Sequence, residues 1–156
     1  AGKILVALDT SEEAMRTVDY LGTMVDGTDL KVTLFHVIRR FDLGSQRYDA
    51  SLSLHEEWEG EVRKEFLEAE RSTEAVFQKA VGHLEKAGVE GDRISTKIVT
   101  GAASRAKAIV EEAKNGGYGT IVVGRRGLSR VEECFMGRVS KKVIQLAQEM
   151  AVWVVS

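Results

Sequence analysis

The sequence predicts an α/β domain built on an open, doubly wound parallel sheet with helices on both faces. Three observations carry that prediction. Short apolar runs alternate with helix-period segments from end to end, and such alternation needs crossover connections, which make right-handed βαβ units. The runs KILVAL (3–8) and VTLFHVI (32–38) are apolar on both faces, as expected of strands covered by helices on two sides. The 156 residues, 44% hydrophobic and 29% charged, fit one compact domain over 1–156 and lie far from the regime of disordered chains.

The first strand stops at Asp9-Thr10-Ser11, a run of helix N-cap residues. Thr10 and Glu13 have capping-box spacing, and Ala14, Met15, Val18, Leu21 and Val25 share one helical face, so a helix is expected over 11–25. After the second strand, 39–55 has no clean period, and its Gly, Ser and Asp residues read as a long loop. From Trp58 the apolar steps Val62, Phe66, Ala69, Thr73, Val76, Ala80 and Leu84 predict a long helix ending near Ala87-Gly88. Its first half is rich in Glu, which we read as a solvated face. RISTKIVT (93–100) alternates as a less buried strand, Gly101 is expected to turn the chain, and Ala106, Ile109, Val110 and Ala113 form a short helix closed by Gly116-Gly117. Thr120 to Val123 is a buried strand ending at Gly124. Val139, Val143, Ile144, Ala147 and Met150 give the face of a last helix, and AVWVV (151–155) is the final strand.

The charge balance, 22 basic against 24 acidic residues, gives −2 and no global attraction for nucleic acid or anionic lipid. No apolar run reaches the roughly 20 residues of a membrane span, and the chain enters its first strand without a signal-peptide pattern. A cytoplasmic protein is expected. The single cysteine, Cys134, excludes an intrachain disulfide and multi-cysteine metal sites. Proline is absent, so glycine carries the punctuation. His36, His55 and His83 show no ligand spacing, and no nucleophile–base constellation is visible.

In a doubly wound sheet ligands bind outside the carboxyl ends of the strands where strand order reverses, which directs attention to the loops after strands one and four. After strand four stand Gly124, Arg125, Arg126 and Gly127, then nine residues, then Gly137-Arg138-Val139-Ser140 at a helix start. Glycine permits close approach to backbone, and a helix N-terminus attracts phosphate, so this is a polyphosphate cradle in principle. Six basic residues between 125 and 142 stand against Glu132 and Glu133. Glycines after a buried strand are also ordinary turn residues, and composition alone leaves both readings open. There is no GxxxxGK[ST] P-loop, and no GxGxxG follows strand one.

The register of Gly124, Gly127 and Gly137 resembles the universal stress proteins, whose ATP-binding subgroup carries glycine, two residues, glycine, nine residues, glycine and then Ser or Thr. KILVALDTSEEA, FHVI and IVTGAASRAKAIVEEA are similar to the same family, so the likeness covers nearly the whole chain. The resemblance implies strand order 3-2-1-4-5. It implies that Asp9 bonds ribose or base, that Ala7 and Leu8 lie beside adenine, and that Val37 contacts adenine through its backbone. Gly124 and Gly127, with Arg125 between them, would receive phosphate and ribose. Gly137, Arg138, Val139 and Ser140 would supply donors to the phosphates of ATP, bound with Mg²⁺ and without confident metal ligands from protein side chains. Many relatives dimerise through the last strand, which implies a homodimer through Val152 to Val155.

The sequence departs from the pattern at Arg138, where Ser or Thr is usual, and an arginine fork can replace the lost hydroxyl. Ala7, Ala103 and Ala151 stand where many relatives carry proline. The reading that follows is an ATP-binding stress-response or signalling module with slow or no hydrolysis. The alternative is a dimeric interaction protein of the same fold that binds no nucleotide. An adenylating enzyme is disfavoured because Asp9-Thr10-Ser11-Glu12 lacks the glycine-rich loop such enzymes carry after strand one.

Overall fold

The computed structural model describes residues 2–39, 55–125 and 137–156. Strands β1 (Lys3–Ala7), β2 (Lys31–Arg39), β3 (Ile94–Ala102), β4 (Thr120–Gly124) and β5 (Ala151–Val155) alternate with helices α1 (Ala14–Val25), α2 (His55–Lys86), α3 (Arg105–Asn115) and α4 (Arg138–Leu146). All strand pairs are parallel, in the order β3-β2-β1-β4-β5, as the resemblance implied.

The unbroken apolar runs are explained by two cores, one on each face of the sheet. On one face Ile4, Val6, Val32 and Leu34 pack beneath Val18, Leu21 and Val25 of α1 and Phe77, Ala80 and Leu84 of α2. On the other, Leu5, Phe35, Val37, Ile121 and Val123 pack beneath Ala106, Ile109 and Ala113 of α3 and Val143 of α4. Each large side chain buried in this way contributes about 1.5–3 kcal/mol before conformational entropy is subtracted. β1 and β4 are inside the sheet and buried, whereas β3 lies at one edge and is more exposed, as read from its sequence, although its burial does not alternate residue by residue.

Four local expectations change. The capping box does not form: α1 begins at Ala14, its cap position is Glu13 without a side-chain bond, and 11–13 make a preceding turn. Upstream, Asp9 Oδ1 accepts from the Ser11 amide and hydroxyl in a turn of its own. α2 starts at His55, ahead of Trp58. Gly101 does not turn the chain. It sits inside β3 at φ +80° as the extra residue of a bulge, since Ile38 faces Thr100 while Arg39 faces Ala102. α4 stops at Leu146 because Ala147 is extended and Glu149 adopts φ +58°, and the chain then turns so that the Ala151 amide donates to Gly119 O at 3.0 Å. Ala147 and Met150, expected on the helix, still pack against the same core from this connection. The expected loop 39–55, except at its ends, and Cys134 lie outside the described residues.

Candidate functional site

In the observed order, the chain runs outward from β1 through β2 in one direction and through β4 in the other, so the carboxyl ends of β1 and β4 flank a crevice. A cavity of about 570 Å³ opens there, within the roughly 300–1,000 Å³ usual for small-molecule sites. Ala7, Leu8, Asp9 and Val37 line it from the β1 and β2 side. Gly124, Arg125, Gly137, Arg138, Val139 and Ser140 line it from the β4 and α4 side. Gly127, with Arg126 and Arg130, lies outside the described residues.

The end of β1 is held from three directions. The Leu8 amide donates to Phe35 O at 2.9 Å, and the His36 ring lies with Nδ1 2.6 Å from Leu8 O. A carbonyl only accepts, so His36 Nδ1 carries the proton. This places His36 as a satisfied histidine at the pocket edge. Asp9 Oδ1 then accepts from the Ser11 amide at 2.9 Å and from the Ser11 hydroxyl. That Asx-type turn fixes the carboxylate at the mouth of the crevice and leaves Oδ2 as the oxygen suited to a ligand hydroxyl.

On the β4 side one residue joins three elements. The Arg125 amide donates to Val155 O of β5 at 2.8 Å, and Arg125 O accepts from the Gly137 amide at 3.1 Å. The contact at Gly137 is so close that a Cβ there would lie 2.7 Å from Arg125 O. Its φ of −54° is open to any residue, so close approach, not backbone freedom, calls for glycine. Because the first intrahelical bonds come later, the amides of Val139 and Ser140 precede the i→i−4 ladder of α4 and mark its positive end. The Ser140 hydroxyl is buried and donates to Gly137 O at 2.9 Å, so its contribution to an anion falls to its backbone amide.

Five arginines line the cavity, Arg16, Arg39, Arg105, Arg125 and Arg138, against the carboxylates of Asp9 and Glu13. Glu13 is paired with Arg16 at 3.2 Å. The field therefore favours an anion in a chain whose total charge is −2. Among the described residues no group of three His, Cys, Asp or Glu side chains could hold a metal ion. No helix among them is long and apolar enough to cross a membrane.

Sequence reasoning missed Arg16, Arg39 and Arg105, together with Ala69, Ser72 and Thr73 of α2. A usable signal existed for two of the arginines. In a parallel sheet every strand opens onto the same end, so Arg39 closing β2 and Arg105 just beyond β3 come to the crevice by topology alone. The α2 residues gave no such signal, since their spacing reads as core.

Residues 1–156 match the universal stress protein family. The chain belongs to that family. Among curated universal stress proteins it is 33% identical to Sll1388 of Synechocystis over 156 residues, covering 94% of this chain and 93% of the relative. It is 28% identical to YxiE of Bacillus subtilis over 145 residues, 93% of each. Solved structures agree on the fold. The hypothetical protein MJ0577 superposes with a TM-score of 0.75 at 25% identity, covering 99% of this chain and 94% of that one. A universal stress protein in complex with cAMP gives 0.64 at 21% identity, over 99% and 96%. The Archaeoglobus fulgidus universal stress protein in complex with dAMP gives 0.67 at 19%, over 100% and 98%. In this universal stress protein Arg138 is exposed at the first position of α4.

Proposed function

We propose that this universal stress protein binds ATP, accompanied by Mg²⁺, and serves as a cytoplasmic stress-response or signalling module with slow or no hydrolysis. One observation carries the reading: a single cavity runs from the Asp9 turn to the positive end of α4. The adenine-nucleotide complexes of two structural neighbours support the nucleotide class. In this reading adenine lies beside Ala7 and Leu8 and bonds the Val37 backbone, Asp9 takes a ribose hydroxyl, and Gly124 and Gly127 admit ribose and phosphate. The amides of Val139 and Ser140 and the guanidinium groups of Arg125 and Arg138 hold the phosphates. Gly137 fits this role, because the close Arg125–Gly137 contact that a Cβ would break keeps the helix end against the strand. Mg²⁺ would arrive with the phosphates, as it commonly does, with few ligands from the protein. Of the cavity carboxylates, Glu13 is engaged by Arg16 and Asp9 keeps only Oδ2, which this reading gives to the ribose, and that suits holding a nucleotide better than turning it over.

The same reading includes a homodimer through β5. Its Val152 and Val154 pack on one face and Trp153 and Val155 on the other, while among the described residues only β4 pairs with it. Such an apolar edge favours pairing with a second copy. Isothermal titration of ATP, AMP and GTP into nucleotide-free protein, with and without Mg²⁺, tests the site. Tight ATP binding with weaker AMP binding is expected, and no heat at several temperatures would overturn the reading.

A further inference from the structure

Among the described residues four large apolar side chains are exposed, Tyr20, Met24, Leu67 and Ile144. Three of them flank one edge of the sheet. His83 Nδ1 donates to Asp19 Oδ1 at 2.7 Å, and a Cβ on Gly22 would lie 2.8 Å from the Ala87 Cβ, so Asp19 and Gly22 turn one flank of α1 to α2. Tyr20 and Met24 each stand about 160° around the helix from Gly22, on the opposite flank. Because α1 packs over β4 and β5, that flank overhangs the β5 edge. On the other face α4 packs on β5 with α3 beside it. Val143 points into the core, and the half-buried Val139 and Leu146 fill the flank toward α3. Ile144 lies about 140–160° around the helix from those two, on the flank above the same open edge. Single apolar residues scattered on a surface need no explanation, but three on the two helices that border an edge strand form one surface.

The strand is too small to hold two chains together. Its five residues run about 17 Å, and a ribbon of that length buries on the order of a few hundred Å², against the roughly 1,200–2,000 Å² of a specific interface. The helices beside it must supply the rest. Two copies of one edge strand close into a dimer by pairing antiparallel about a two-fold axis normal to the sheet. That operation keeps each face on its own side, so α1 comes to α1 and α4 to α4. Each apolar flank thereby meets a surface as apolar as itself. We infer that a second copy of this chain is gripped by both helix layers: the Tyr20 and Met24 flank of α1 packs on its own counterpart across the axis, and Ile144 of α4 does the same on the other face. The inference rests on the β5 dimer proposed above and assigns the surfaces that close it.

The test measures the dimer dissociation constant of the full chain by sedimentation equilibrium. Met24→Glu and Ile144→Glu each remove an apolar contact twice per dimer and set like charges against one another, so each should raise the constant roughly 10-fold or more. Leu67→Glu, equally exposed but on α2, which packs on α1, β2 and β3, should leave it unchanged. Circular dichroism should show the parent fold in all three, since the substituted side chains are exposed. Met24→Lys should weaken the dimer as Met24→Glu does, and mixing those two chains should restore a dimer containing one of each, because opposite charges then face each other across the axis. A local packing defect would not be cured by mixing. Dimerisation of Met24→Glu or Ile144→Glu at the parent's strength, equal weakening by Leu67→Glu, or failure of the Glu and Lys chains to pair would overturn the inference and leave the β5 pairing in place. A parent chain that stays monomeric at micromolar concentration would overturn the β5 dimer itself.

Discussion

Replacing Gly137 with alanine tests the cradle at its tightest point. The new Cβ would lie 2.7 Å from Arg125 O and 3.5 Å from Ser140 Oγ. The backbone conformation, φ −54° and ψ 146°, accepts alanine without strain, so the close contact is the only perturbation. Arg125 cannot simply withdraw, because its amide is tied to Val155 O at 2.8 Å. The start of α4 must instead move by a few tenths of an ångström, stretching the 3.1 Å bond from the Gly137 amide. Losing that bond and disturbing its neighbours costs about 1–2 kcal/mol, which for a domain of this size lowers Tm by roughly 2–8 °C. If the amides of Val139 and Ser140 hold phosphate, displacing them removes one or two charge-assisted bonds, about 1.5–3 kcal/mol, or roughly a 10- to 150-fold loss of ATP affinity. Calorimetric titration and a thermal melt of the same preparation read both effects. A Gly137→Ala protein that melts and binds ATP as the parent does would refute the cradle.

Other perturbations address separate parts of the site. Asp9→Ala should remove the turn at Ser11 and weaken ATP about 10-fold, while Asp9→Asn, which can keep that turn, should lose less; equal losses measured by titration would contradict a positioned carboxylate. Arg138→Ala should weaken ATP and flatten the salt dependence of its affinity more than that of AMP, and an unchanged salt profile would remove Arg138 from phosphate binding. In β5 the Arg125–Val155 and Ala151–Gly119 bonds turn residues 151, 153 and 155 toward β4, leaving the Val154 amide at the outer edge. Val154→Pro should therefore yield a folded monomer by light scattering, and a persistent dimer would place the interface elsewhere. Lys97 has its pKa raised above the ordinary lysine value, first by its 2.8 Å bond to Glu112. That stabilisation is present at neutral pH and is lost as pH rises through the raised pKa. With Lys97 half exposed it is worth about 0.5 kcal/mol or less, so the melting curves of parent and Glu112→Gln should differ little at pH 7 and converge in strong alkali.

Most of the fold was legible because burial on both faces leaves the same mark on β1, β2 and β4, an apolar run too short for a helix and bounded by caps or glycine. The errors fell where a local signal competed with a tertiary one. Thr10 and Glu13 spell a capping box, yet the turn that forms is the one Asp9 makes with Ser11, and the helix begins at Ala14. Val139 through Met150 keep helical spacing, yet Glu149 turns the chain toward β5 while Met150 stays packed. The glycine spacing and Asp9 pointed to the crevice, and both sides of it do line one cavity. What stayed hidden was the far wall, since Ala69 and Thr73 sit at core spacing on α2 and only the packing of that helix brings them to the cavity.

The bulge at Gly101 governs which way the chain faces afterwards. Strict alternation would send Val99 to one side of the sheet and Ala102 to the other, three positions on. Both pack beneath α3, because the extra residue restores the parity that counting from Val99 would reverse. Straightening the bulge while keeping every residue of β3 would therefore do more than regularise an edge strand. It would turn Ala102 to the α1 and α2 side and present Arg105, three residues later, with the wrong hand to the crevice, like a glove pulled inside out at the wrist.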